Sequence, residues 1–284
     1  MSTRHRRPTP SQKRSRGTAR RNRRSDLGAR VVSAVPLVAI AIALVALGGA
    51  VFAAGLLVLG VICLRELFSM FPRARPVVLG GFVALAGLVT AAALGDAATV
   101  LLVFVACVPL VFLFAFVQPG GSGVAGVTIT LLGVAWIGMG VAHAVLLREL
   151  PHGGGIVVIV LVATFLGDTG AYLGGRAFGS RKLAPAISPN KTIEGLLIGI
   201  VAGTCAAWFG GLYQDWLSGS DALLLGGAVA LVAPIGDLFE SFVKREAATK
   251  DSGTIFGAHG GALDRLDAAL FSIVAGYYVW QALL

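Results

Sequence analysis

Long apolar runs, separated by short polar or glycine-rich breaks, fill the chain from residue 30 to its end. Each holds about 20 residues, the length at which a helix crosses roughly 30 Å of hydrocarbon. Nine runs can be drawn, at 30–48, 50–70, 77–95, 97–118, 124–148, 155–175, 193–213, 220–244 and 262–283. Only Gly48 and Gly49 part the first two. Backbone polar groups in lipid must be satisfied within the segment, so runs this long are read as helices. The pattern predicts an all-α, polytopic membrane bundle of about nine transmembrane helices.

Composition agrees. Of 284 residues, 56% are hydrophobic and 13% charged, about half the charge of a soluble domain. The net charge of +9 resembles a nucleic-acid signal until it is located. Residues 1–30 carry eleven Lys/Arg and one acid, Asp26, and the remainder carries twelve basic and thirteen acidic residues. The basic character therefore belongs to a tail, residues 1–29, expected to be disordered and to touch anionic membrane lipids rather than nucleic acid. With that tail cytoplasmic, every Lys and Arg except Arg148 falls on one side, as the positive-inside rule requires. The expected location is a bacterial plasma membrane, with the N-terminus and the charged loops cytoplasmic. Cys63, Cys107 and Cys205 lie in apolar runs without metal-site spacing and read as buried hydrophobes.

The acids divide the chain. Residues 30–150 hold Glu66 and Glu149 near span ends and Asp96 in a turn, whereas residues 151–284 hold Asp168, Asp237, Glu240 and Asp264 within or against apolar sequence. An intramembrane carboxylate costs roughly 2.5–3.5 kcal/mol on insertion scales. The first segment is therefore read as scaffold and the second as the catalytic region. A transporter reading fits less well, because ion-coupled folds repeat their broken helices in both halves.

Four stretches carry chemistry. In "VAPIGDLFESFVKRE", Asp237, Glu240, Ser241 and Lys244 share one helix face, with Pro234 and Gly236 placed to open the helix. In "ATFLGDTGAYLGG", Asp168 sits among glycines that permit close packing or a ligand. In "ISPNKTIEG", Ser188 followed by Pro189 reads as a helix start whose free N–H groups, beside Lys191, suit a phosphate. In "KDSGTIFGAHGGALDRLD", Asp264 and Asp267 open the last span, next to Lys250, Asp251, His259 and Arg265. Clustered carboxylates facing Lys and Arg fit a divalent cation that holds phosphate oxygens. The glycines of this stretch are read as room for a phosphate between Lys250 and Asp264. "GSGVAG" at 121–126 and "HGGG" at 152–155 lack the surroundings that would give them meaning.

The segment 241–267 resembles the signature of the phosphatidate cytidylyltransferases, at Ser241, Lys244, Arg245, Lys250, Asp251, His259, Gly260, Gly261, Asp264, Arg265 and Asp267. "GDTGAYLGGRAFG", "SPNKTIEG" and "GDLFES" resemble the family's other blocks. The resemblance implies transfer of a cytidylyl group from CTP to phosphatidic acid, giving CDP-diacylglycerol and pyrophosphate. It implies dependence on Mg²⁺, with room for a second cation, and a homodimer. Asp237 and Asp264 become the leading metal ligands, with Asp251 and Asp267 as further ligands and Asp168 and Lys250 as catalytic groups beside them. Lys191, Lys244, Arg245 and Arg265 are expected to hold phosphates, and Ser188, Ser241, His259, Gly260 and Gly261 to complete substrate binding. Another polar-lipid phosphate, such as an archaeal-type ether lipid, stays open as substrate.

Overall fold

A computed structural model describes residues 38–253 and 260–284. The basic tail and His259 lie outside the described residues. The chain separates into two units, Met1–Ala43 and Leu44–Leu284. Of the first, only the beginning of one helix is described.

The helices, numbered in order, are α1 (Val38–Leu47), α2 (Gly49–Met70), α3 (Val78–Leu94), α4 (Ala97–Val117), α5 (Val124–Glu149), α6 (Gly153–Phe178), α7 (Ile193–Gly211), α8 (Gly219–Glu246) and α9 (Leu263–Leu283). Among the described residues, seven are long and apolar enough to cross a membrane; α1 and α3 are shorter. The chain is thus a multi-pass membrane protein built of helices, with one small addition. Lys182–Ala184 (β1) and Ser188–Thr192 (β2) form an antiparallel hairpin between α6 and α7.

Local chemistry sets the boundaries. Asp96 caps α4 by accepting from the Thr99 backbone N–H at 2.8 Å and its hydroxyl at 2.7 Å, bonds that hold its carboxyl below the usual range. Gly48 joins α1 to α2 with φ of 64°. There Arg148, the one basic residue assigned to the far side, donates from Nε to Val45 O at 2.8 Å and so satisfies a carbonyl at the end of α1. In α5 a π-helical turn at Val134–Gly138 carries Trp136, whose ring meets Phe239 edge-on at 4.8 Å. Helix α4 leaves Leu102, Val105, Phe112, Leu113 and Phe116 exposed, an outer face suited to lipid. Cys63 and Cys107 are buried as expected, but Cys205 lies exposed on α7.

One element start differs from the sequence reading. Ser188 is not an N-cap: it opens β2, and α7 starts four residues later with Thr192 as its cap, whose hydroxyl accepts from Gly195 N at 3.2 Å. Pro189 lacks an N–H and is tolerated in a two-stranded edge as readily as at a helix start. The hairpin is tied down at both sides. Glu194 accepts from the Ser180 hydroxyl and from the N–H groups of Ser180 and Arg181, and Arg245 donates to Ile187 O at 3.3 Å. Thr192→Ala should therefore lower stability by about 1 kcal/mol. An unchanged thermal midpoint in detergent would show that the cap contributes nothing.

Helices α6 and α7 pack through glycine. A methyl added at Gly199 would stand 2.7 Å from Ala171 Cβ and 2.8 Å from Gly167 O, so the two backbones approach with nothing larger than the Ala171 methyl between them. This seam fixes Asp168 on α6 relative to Lys191, which sits one residue before the α7 cap.

Candidate active site

Three helices and the hairpin deliver charged side chains to one end of the bundle. Helix α8 runs through Pro234 without a break and supplies Asp237. Gly236 beside it lets α9 approach: an added methyl would stand 3.0 Å from Ala268 Cα. Lys191, from β2, forms an ion pair with Asp237 at 2.6 Å. Asp168 is an electrostatic neighbour of Asp237, Asp267 and Lys191. Two turns beyond Asp237, Lys244 bridges Glu240 at 2.5 Å and Asp264 of α9 at 2.9 Å. Helical spacing suggests Lys244 as partner for Asp237 or Glu240; the structure gives it Glu240 and hands Asp237 to the hairpin.

A cavity of about 400 Å³ opens beside the Lys191–Asp237 pair. Asp168, Lys191, Asp237, Arg176 and Asn190 supply its polar lining, and Ala171, Leu183, Leu196 and Pro234 its apolar walls. It is large enough for a phosphate with part of its organic substituent.

The signature stretch has a different internal logic. Asp264 accepts from Ser252 N at 3.0 Å and from Gly261 N at 2.7 Å, in addition to Lys244. It therefore ties together the two ends of the 252–261 loop. Gly260 has φ of 79° and lies against the Asp264 carboxylate, a position that a side chain could not share. Gly253 and Gly261 are packed around Glu66 of α2, whose carboxylate fills the space a methyl would need.

A sequence model of the cytidylyltransferase family matches residues 28–283. The chain belongs to this family. It is 31% identical over 292 residues to a phosphatidate cytidylyltransferase of Synechocystis sp., covering 90% of this chain and 97% of that protein. To the Pseudomonas aeruginosa phosphatidate cytidylyltransferase it is 37% identical over 56% of each chain. To that of Helicobacter pylori strain 26695 it is 45% identical over 40% of this chain and 43% of the relative. The chain thus spans nearly all of the first relative and about half of the other two.

Within this family member, the carboxylates named from sequence separate by surroundings. Asp168, Asp237 and Asp267 gather with Glu240 and Asp264. Asp251 and Lys250 are exposed on the loop, and Arg265 is exposed in the first turn of α9. Ser241 is half-buried on α8, Ser188 is half-buried in β2, and Arg245 is held by the hairpin turn. Among the described residues no group of three or more His, Cys, Asp or Glu side chains is arranged to hold a metal ion.

The charge balance nevertheless fits a cation. Five carboxylates converge, against the ion-paired Lys191 and Lys244, and adding Arg265 still leaves an acidic excess. Glu240 is 2% exposed, and its Oε1 has no hydrogen-bond partner, while Asp264 and Asp267 are among its neighbours. A buried carboxylate oxygen without a donor is costly unless a cation or proton compensates it. Of the five, Asp168, Asp237 and Asp267 are the better candidates, because Asp264 already receives three donors.

Sequence reasoning missed Arg176, Asn190 and Glu66. Arg176 carried a usable signal: Asp168, Tyr172 and Arg176 recur at i, i+4 and i+8 on one face of α6, and Arg176 reaches the Tyr172 hydroxyl at 3.3 Å. Asn190 alternates with Thr192 in a strand that was read as helix.

Proposed function

We propose that the protein is a phosphatidate cytidylyltransferase that works at the charged end of its helix bundle, facing the cytoplasm. The observation that carries the reading is the Lys191–Asp237 pair, set in the wall of a half-apolar cavity. Both substrates are anionic, and one is a lipid. Arg176 and Lys191 offer donors to the lipid phosphate, while Ala171, Leu183, Leu196 and Pro234 accept its glycerol and acyl portion.

In the reaction, a phosphate oxygen of the lipid forms a bond to the α-phosphorus of CTP. The bond from that phosphorus to the bridging oxygen breaks, and pyrophosphate leaves on the opposite side. The attacking oxygen is already ionised, so no general base is required. Catalysis then rests on alignment and on neutralising the charge that gathers at phosphorus. A Mg²⁺ ion held by Asp237 with Asp168 or Asp267 would supply that neutralisation when bound. Lys244, fixed between Glu240 and Asp264, keeps α8 and α9 in register and stands within the same acidic group.

Orientation follows from charge. The loops at this end carry the basic residues, as cytoplasmic loops do. Purified protein in detergent, given phosphatidic acid, labelled CTP and Mg²⁺, is expected to release pyrophosphate and form a CDP-lipid. No pyrophosphate from any of several lipid phosphates, in a preparation whose helical content is intact, would overturn the enzymatic reading.

A further inference from the structure

The structure assigns to Glu66 a role that its place in the scaffold half conceals: we propose that it is the positioning residue that holds the start of α9, and thereby Asp264 and Asp267, in the site. Helix α9 begins without a cap of its own. Its N-cap residue is Ala262, which offers no side-chain hydrogen bond. Helix starts leave unpartnered N–H groups that are costly when buried, and Ala262 and Leu263 are both buried. Glu66 supplies what is missing from the other half of the chain. Its carboxylate accepts from Ala262 N at 3.0 Å, from Leu263 N at 2.9 Å and from the Ser252 hydroxyl at 3.3 Å.

Four further features show a built arrangement. Glu66 is 4% exposed, so its charge is removed from water and depends on these donors. A carboxylate at a helix N-terminus also complements the positive end of the helix dipole. Gly253 and Gly261 leave room for the carboxylate on both strands of the loop neck, where any side chain would collide with it. Its own helix is fixed by the fully buried Leu64 and Leu67 on either side. Glu66 touches neither the cavity nor the Lys191–Asp237 pair. It acts through the helix start: Asp264 lies one residue beyond Leu263, and Asp267 one turn further.

The test combines hydrogen exchange with kinetics; its kinetic arm rests on the enzymatic reading above, and its exchange arm does not. In Glu66→Gln one carboxylate oxygen becomes a donor facing an N–H group. Exchange at Ala262 and Leu263, followed by mass spectrometry, should quicken by about tenfold or more while the other helices are unchanged. Turnover number should fall by about tenfold or more, with KM for CTP and for phosphatidic acid within about threefold. Unchanged exchange would overturn the anchoring, and faster exchange with unchanged turnover would overturn the positioning role.

A second pair separates positioning from packing. Gly253→Ala alone should be destabilised by collision with Glu66, whose side chain supplies all the closest atoms there. The double variant Glu66→Ala/Gly253→Ala refills that space with methyl groups and should recover its thermal midpoint without recovering turnover. Recovery of turnover along with the midpoint would reduce Glu66 to a space-filler and sink the proposal. If the unmodified protein transfers no cytidylyl group, the enzymatic reading fails, while the exchange arm still decides the anchor.

Discussion

Asp237→Asn should lower turnover by roughly a hundred- to a thousandfold while leaving the protein folded, the scale seen when one preorganised charge is removed from a polar active site. Asparagine keeps the shape of the side chain but removes the charge that faces Lys191 at 2.6 Å. Lys191 then sits in the cavity wall without its counter-charge, and the remaining carboxylates, Asp168 and Asp267, face a weaker cation site. Asp264→Asn should be comparably inactive for another reason. It turns one of the two oxygens that serve Lys244, Ser252 N and Gly261 N into a donor and removes the charge, so the loop neck loosens. Hydrogen exchange tells the two apart: Asp264→Asn should speed exchange at Ser252 and Gly261, and Asp237→Asn should not. Near-normal turnover of Asp237→Asn would remove the Lys191–Asp237 pair from the chemistry.

Gly199→Leu is expected to be the most damaging single change outside the charged cluster. The residue it displaces has no side chain because α6 and α7 touch there through backbone, with Gly167 O and Ala171 closest. Overpacking usually costs about 1–3 kcal/mol; here the neighbours are the Ala171 methyl and the α6 main chain, none of which can swing aside, so relief requires the helices to part. Separation would draw Asp168 away from Lys191 and open the cavity wall. Gly199→Leu should therefore give little folded protein on size-exclusion chromatography, and any that survives should be inactive. Wild-type yield and activity would mean that the seam is not close-packed.

The helices were legible in the sequence because runs of about 20 apolar residues leave lipid-compatible backbone no other choice. Each fully described span begins and ends within a few residues of where its polar flanks place it. Asp168, Asp237 and Asp264 were legible for the converse reason: a carboxylate in such a run demands a purpose. Their partners were not. Lys191 and Asp237 come from different elements, and which cation meets which acid depends on the close approach of α8 to α9 at Gly236. Ser188 misled because Ser-Pro serves a strand edge as well as a helix start, while the true cap, Thr192, lay four residues on. In the signature stretch Gly253 and Gly261 make room for Glu66, a neighbour that sequence distance conceals. Glu66 was overlooked because it stands near the end of its run, where a charge is cheap. Two signs pointed to it: a last helix opening on "GGALD", with no capping residue, and a lone acid in "VICLRELFSM".

The glycine seam also bears on how the chain is made. Helices α6 and α7 are joined only by the hairpin and its flanks, so they can zip together in the bilayer as soon as both have left the ribosome. Lys191 then lies at the membrane edge before its counter-ion exists, because Asp237 arrives only near the end of α8, roughly a few seconds later at ordinary synthesis rates. During that interval the seam fixes where Lys191 stands, so the carboxylate that comes with α8 docks against a charge already in place.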